Sequence, residues 1–169
     1  MSIFPTTILL ATDGSKEAGL AARTAVDLAE STSSELHVVT AVRKFPTAAY
    51  DVYNEAMADA LRQETRHVLD EEVRKIEEAG GTVARAHVRM DDRRDEAIVR
   101  LAEEISAGLI VMGSRGLGGL SRALMGSVSD SVVRHAHCPV MIVRPEATVG
   151  GRRRFWRREH ASANSGGSK

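Results

Sequence analysis

Three glycines and two serines are spaced so that they could hold an anion. In the segment MGSRGLGGLSRALMGSVS, residues 112–129, Gly113 and Gly116 are separated by two residues, nine more follow, and Gly126 leads straight into Ser127, Val128 and Ser129. Glycine lets main-chain N–H groups turn toward a charged ligand with no Cβ in the way. The first turn of a helix adds amides with no intrahelical acceptor and a partial positive charge of about half a unit. The chemistry such a loop offers is phosphate binding, and Arg115 or Arg122 could add a full charge. Two commoner phosphate loops are excluded: G-x-x-x-x-G-K-[ST] is absent, and the first strand-turn-helix carries only Gly14 where the dinucleotide fingerprint needs three glycines. A second candidate group is Ala11, Thr12 and Asp13, which close an apolar run. The Asp13 carboxylate is placed either to support the turn or to meet a ligand.

These residues need elements to position them. Ile8 to Ala11 is a short, wholly apolar run, the pattern of a strand buried on both faces. From Lys16 to Glu30, Ala18, Ala21, Ala22, Ala25, Leu28 and Ala29 recur at helical spacing opposite Lys16, Glu17, Arg23 and Asp27. Leu36 to Val42 reads as a second strand after the Ser-Thr-Ser-Ser turn at 31–34. An irregular connection with Pro46 leads to a long amphipathic helix ending at Ala79, where Gly80 and Gly81 stop it. Its charged run from Arg62 to Glu78 is a solvated face, with Asp70 and Arg74 spaced to pair. Val83 to Val88 alternates and predicts a half-exposed edge strand. Asp91 and Asp92 are expected to open the next helix and Gly108 to close it. Leu109 to Met112 is again a uniformly apolar strand, Ser127 and Asp130 read as a capping box variant at a last helix, and Val140 to Val143 forms a fifth strand. Strands alternating with helices, several continuously apolar, predict a doubly wound α/β domain with a parallel sheet covered on both faces. Ligands in such folds bind beyond the carboxyl ends of the strands, where strand order reverses. The loops after the first and fourth strands are therefore the ones expected to carry function.

Composition narrows the alternatives. The chain has 169 residues, 43% hydrophobic and 27% charged, enough for one domain with a core, which excludes disorder of the whole chain. Its 23 basic and 23 acidic side chains cancel, which argues against a dedicated nucleic-acid binder. The cancellation has an anatomy, however. Residues 145–169 carry six basic and two acidic groups, including Arg152, Arg153, Arg154, Arg157 and Arg158 around Phe155 and Trp156, so the tail is +4 and residues 1–144 are −4. The division expected is a domain over 1–144 and a basic, disordered tail over 145–169 that could contact an anionic partner. The lone Cys138 permits no internal disulfide. With neither a basic leader nor an apolar run of spanning length, the expected compartment is cytoplasmic. His135, His137 and Cys138 lie close in sequence, but three such ligands without a fourth are a weak metal pattern, and no metal ligand from the protein is expected.

The glycine loop is similar to that of the ATP-binding members of the universal stress protein family, written G, two residues, G, nine residues, G, then Ser or Thr. Ala-Thr-Asp-Gly-Ser at 11–15 and His-Cys-Pro-Val at 137–140 are similar too, and the resemblance covers residues 5–144. It implies a Rossmann-like five-stranded parallel sheet of order 3-2-1-4-5 and ATP as ligand, with magnesium on the phosphate oxygens. It places Asp13, with Ala11 and Thr12, against the nucleoside, main-chain groups of Ala41 at adenine, and Met112 and Gly113 beside the ribose. Arg115, Gly116, Gly126, Ser127, Val128 and Ser129 would hold the phosphates. A homodimer is implied through the last strand, Val140, Met141, Ile142 and Val143. The implied function is a nucleotide-dependent regulatory module of the stress response. The alternative is a slow ATP-hydrolysing or adenylating enzyme on the same scaffold. Against it, the Ser-Gly-Gly-x-Asp-Ser and His-x-Gly-His signatures of such enzymes are missing, and nothing nominates a base or nucleophile. The chain is therefore expected not to be an enzyme.

Overall fold

The computed structural model describes residues 3–44, 53–117 and 125–145, except for the side chains of residues 53 and 54. The Pro46 connection, Gly118, Gly119, Arg122 and the arginine-rich tail lie outside them. Strands β1 (Thr7–Ala11), β2 (Glu35–Arg43), β3 (Arg85–Asp91), β4 (Ala107–Gly113) and β5 (Val140–Val143) alternate with helices α1 (Lys16–Thr32), α2 (Tyr53–Glu78), α3 (Arg94–Glu104) and α4 (Ser127–His135). The strands form one parallel sheet of order β3-β2-β1-β4-β5, the expected doubly wound order. Its centre is the most apolar part, because β1 and β4 are covered on both faces.

Alternation along the strands divides the core in two. Ile8, Leu10, Leu36, Val38, Leu109 and Val111 face α1 and α2, and the alanines Ala21, Ala22, Ala25 and Ala29 let α1 lie close to the sheet. Leu9, Ala11, Val39, Ile110 and Met112 point the other way, against Ile98, Leu101 and Ala102 of α3 and Val132 of α4. Strand order reverses between β1 and β4, so the turn after β1 and the loop after β4 leave the sheet side by side.

Several boundaries differ from the sequence pattern. Helix α1 runs past Glu30 to Thr32, and Ser33 ends it at φ 54°, donating its amide to the carbonyls of Ala29 and Glu30. Asp91 belongs to β3 and Asp92 to the turn, so α3 begins only at Arg94. It ends before Ser106, which takes the left-handed φ of 51°. Gly108 is no terminator: it lies inside β4, where a Cβ would overlap the Thr6 side chain. Asp70 pairs with Arg66 at 3.0 Å rather than with Arg74, which bridges Glu71 and Glu78. Gly80, at φ 91°, and Gly81 close α2 as expected, their amides returning to Glu77 and Ile76 carbonyls.

Candidate functional site

The turn after β1 is tightly braced. The Thr12 amide bonds the Val39 carbonyl of the neighbouring strand at 2.9 Å, and the Thr12 hydroxyl accepts the Gly14 amide at 3.2 Å. Ser15 is the N-cap of α1, its hydroxyl accepting the Ala18 amide at 3.2 Å. Asp13 supports the turn, as one of the two sequence readings has it, and does more. One carboxylate oxygen accepts the Ser15 amide at 3.0 Å, and the other accepts the Leu117 amide at 2.9 Å from a loop 104 residues away. Asp13 thus ties the β1–α1 turn to the β4–α4 loop. That tie explains Gly116, since a Cβ there would overlap the same Asp13 oxygen.

Glu17 makes the second tie. Its carboxylate, 14% exposed, accepts the Ser114 hydroxyl at 2.7 Å and pairs with the Arg115 guanidinium at 2.5 Å. The positive charge that Arg115 was expected to lend to a phosphate is therefore balanced by Glu17. Sequence periodicity places Glu17 on the polar face of α1 but cannot reveal its partners, which lie 97 and 98 positions further on.

Helix α4 starts differently from α1. Gly126 is its N-cap, with no side-chain hydrogen bond, so the expected capping box of Ser127 and Asp130 does not form. The Gly126 carbonyl accepts the Asp130 amide at 2.9 Å, and the Gly126 amide is spent on the Ser114 carbonyl at 2.8 Å. Helical geometry then leaves the amides of Ser127, Val128 and Ser129 without an intrahelical acceptor. The Ser129 hydroxyl is turned inward and donates to the Gly113 carbonyl at 3.0 Å, so Ser129 offers its amide and not its side chain. Gly113 is confined by the main chain at Arg115 and Glu17, each 3.1 Å from where a Cβ would stand.

These pieces border one open cleft of about 860 Å³, counting its solvent-filled mouth, on the α3–α4 side of the sheet. All twelve residues expected from the sequence, Ala11, Thr12, Asp13, Ala41, Met112, Gly113, Arg115, Gly116, Gly126, Ser127, Val128 and Ser129, line it. Ala18, Arg94, Ile98 and Leu117 line it as well and were not expected. Ile98 was legible as a core position of α3. Arg94 carried no signal, because it is brought to the cleft only by the turn after β3. The cleft has two chemistries: an apolar end with Ala41, Ile98 and Met112, and a polar end with Gly116 and the open α4 amides. Among the described residues, no group of three or more His, Cys, Asp or Glu side chains is arranged to hold a metal. No described helix is long and apolar enough to cross a membrane.

A family model for the universal stress proteins matches residues 5–144. A Staphylococcus haemolyticus protein carrying that family's name is 34% identical over 141 residues, covering 82% of this chain and 84% of its own length. A solved universal stress protein family structure from Burkholderia pseudomallei is 33% identical, with a TM-score of 0.64, over 85% of this chain and 98% of the other. A universal stress protein solved in complex with cAMP is 28% identical, with a TM-score of 0.62, over 84% and 98% of the two chains.

Proposed function

Because this chain belongs to the universal stress protein family, we propose that it binds ATP in the cleft and acts as a nucleotide-dependent regulatory module of the stress response. The observation that carries the reading is the uncapped start of α4. Three amides and the positive end of a helix face a cleft whose opposite end is apolar. Phosphates belong at Gly116, Gly126, Ser127, Val128 and Ser129, the ribose beside Met112 and Gly113, and the base at Ala41, with Ala11, Thr12 and Asp13 beneath the nucleoside. The related protein solved with cAMP supports an adenine nucleotide as the ligand class.

Magnesium fits as an ion carried by the phosphates. The carboxylates that hold the loop, Asp13 and Glu17, are committed to amides, a hydroxyl and a guanidinium, so the protein's part is to bind the phosphate oxygens and leave the ion its waters. The same commitments speak for binding over turnover, since neither carboxylate is poised to take a proton from water. Pairing of two copies through β5 is part of the proposal. The strand is an edge of the sheet, with Met141 36% exposed, and an uncovered edge offers main-chain groups to a second strand. We place the protein in the cytoplasm, where its lone thiol, Cys138, would stay reduced.

Calorimetric titration of the purified chain with ATP, ADP and AMP tests the function. One site per chain with a Kd in the micromolar range, about −8 kcal/mol, is the expected result. No heat or protection at millimolar ATP overturns it.

A further inference from the structure

We propose that Arg94 is the purine-facing cation of the cleft, an inference that rests on the nucleotide reading above. Among the described residues, two arginines line the cleft. Arg115 is balanced by Glu17, whereas the Arg94 side chain forms no ion pair or hydrogen bond with any described residue. Its neighbours on α3 are treated otherwise: Arg93 bridges Asp95 and Glu96, and Arg100 bridges Asp91 and Glu96.

The position of Arg94 is also unfavourable for the fold. It is the first residue of α3, where the helix dipole is positive and a cation is repelled. An unpaired cation there does nothing for helix stability, so its use must be sought in the cleft. Arg94 and Ile98 are four residues apart and share one face of α3. Ile98 packs in the same apolar cluster as Ala41. Ala41, Ile98 and Arg94 therefore form a slot at the end of the cleft away from Gly116, with an apolar floor and a planar cation at the rim. A flat aromatic base fits that slot, and a guanidinium stacks on such a face.

The test is to titrate adenosine and ATP separately into the intact protein, Arg94→Ala and Arg94→Lys, with the melting temperature of each recorded. Arg94→Ala is expected to weaken adenosine and ATP by the same factor, about fivefold. Arg94→Lys, which keeps charge but not the plane, restores less than half of that loss. The melting temperature of Arg94→Ala stays level or rises, which separates a ligand role from a structural one. Unchanged affinity in Arg94→Ala overturns the inference and leaves ATP binding standing. A loss for ATP but not for adenosine also overturns it, by assigning Arg94 to the phosphates. If the intact protein binds neither ligand, the nucleotide reading falls and this inference with it.

Discussion

Helices α1 and α4 begin at the carboxyl ends of the strands, on either side of the point where strand order reverses, yet they begin in opposite ways. At α1 three donors near the start are met by side chains: Ser15 caps Ala18, Asp13 takes the Ser15 amide, and Thr12 takes that of Gly14. At α4 the cap is a glycine with no side chain to offer, and the first three amides open on the cleft. The difference assigns the labour. The closed start is a brace, whose carboxylates Asp13 and Glu17 reach across to hold the glycine loop, and the open start is the place left for an anion.

Giving α4 the cap that it lacks should abolish the contrast and produce the largest effect. Gly126 sits at φ −64°, and a Cβ there meets nothing closer than 3.4 Å, so Gly126→Asp is tolerated by the fold. Its carboxylate would occupy the open amides and repel phosphate. ATP affinity by calorimetry should fall at least about a hundredfold, roughly 3 kcal/mol, while thermal stability holds or rises by about 0.5 kcal/mol. Retained affinity would mean that those amides are not the anion site.

Next in size is the tie between the two starts. Gly116→Ala forces the Asp13 carboxylate aside and releases the Leu117 amide, so ATP affinity should drop about tenfold, with a loss of about 1–3 kcal/mol in stability by urea denaturation. If only stability changed, the brace would not position the binding loop. Removing the α1 cap should have a smaller and purely structural consequence. Ser15→Ala is expected to cost about 1 kcal/mol in stability and to leave ATP affinity within about twofold. A ligand defect of the size seen in Gly126→Asp would erase the distinction between the two starts.

The smallest effect should come from far along the sheet and leave both helix starts untouched. His37 and His87, on adjacent strands, share a 3.1 Å hydrogen bond with rings stacked at 5.2 Å. Burial, above all, lowers the pKa of both below the usual 6.5, assisted by Arg85 and, at His87, by His37 and Arg89, against Glu35 at His37 and Glu104 at His87. The folded state therefore favours the neutral rings. Their contribution to stability is complete above pH 6.5 and is lost as the pH falls from there toward the lowered folded values, because the unfolded chain binds the protons more readily. Melting temperature followed from pH 7.5 to 5 should decline, and His87→Gln should flatten the decline. A slope unchanged in that variant would place the acid sensitivity elsewhere.

Much of this was legible without coordinates. The uniformly apolar runs at Ile8–Ala11 and Leu109–Met112 announce central parallel strands, since only burial on both faces tolerates them. The glycine spacing from Gly113 to Gly126 identifies the loop, and every residue expected in the site borders the cleft. What failed were caps. Ser127 with Asp130 has the right letters for a capping box, but Gly126 takes the cap position because its carbonyl receives the Asp130 amide. Asp91 with Asp92 likewise resembles a helix start, but β3 continues through Asp91, paired with Arg43 of β2.

By itself, the sequence determined the order of elements, the faces they bury and the loop whose amides turn outward, because these follow from local periodicity and from glycine's lack of a side chain. Only the tertiary structure decided what the charges do: that Glu17 balances Arg115, that Asp13 ties two loops, and that Arg94 lines the cleft with no ion pair among the described residues. Such pairings join residues about a hundred positions apart. Electrostatic and hydrogen-bond partners are set by distances of a few ångströms in space, which no periodicity along the chain records.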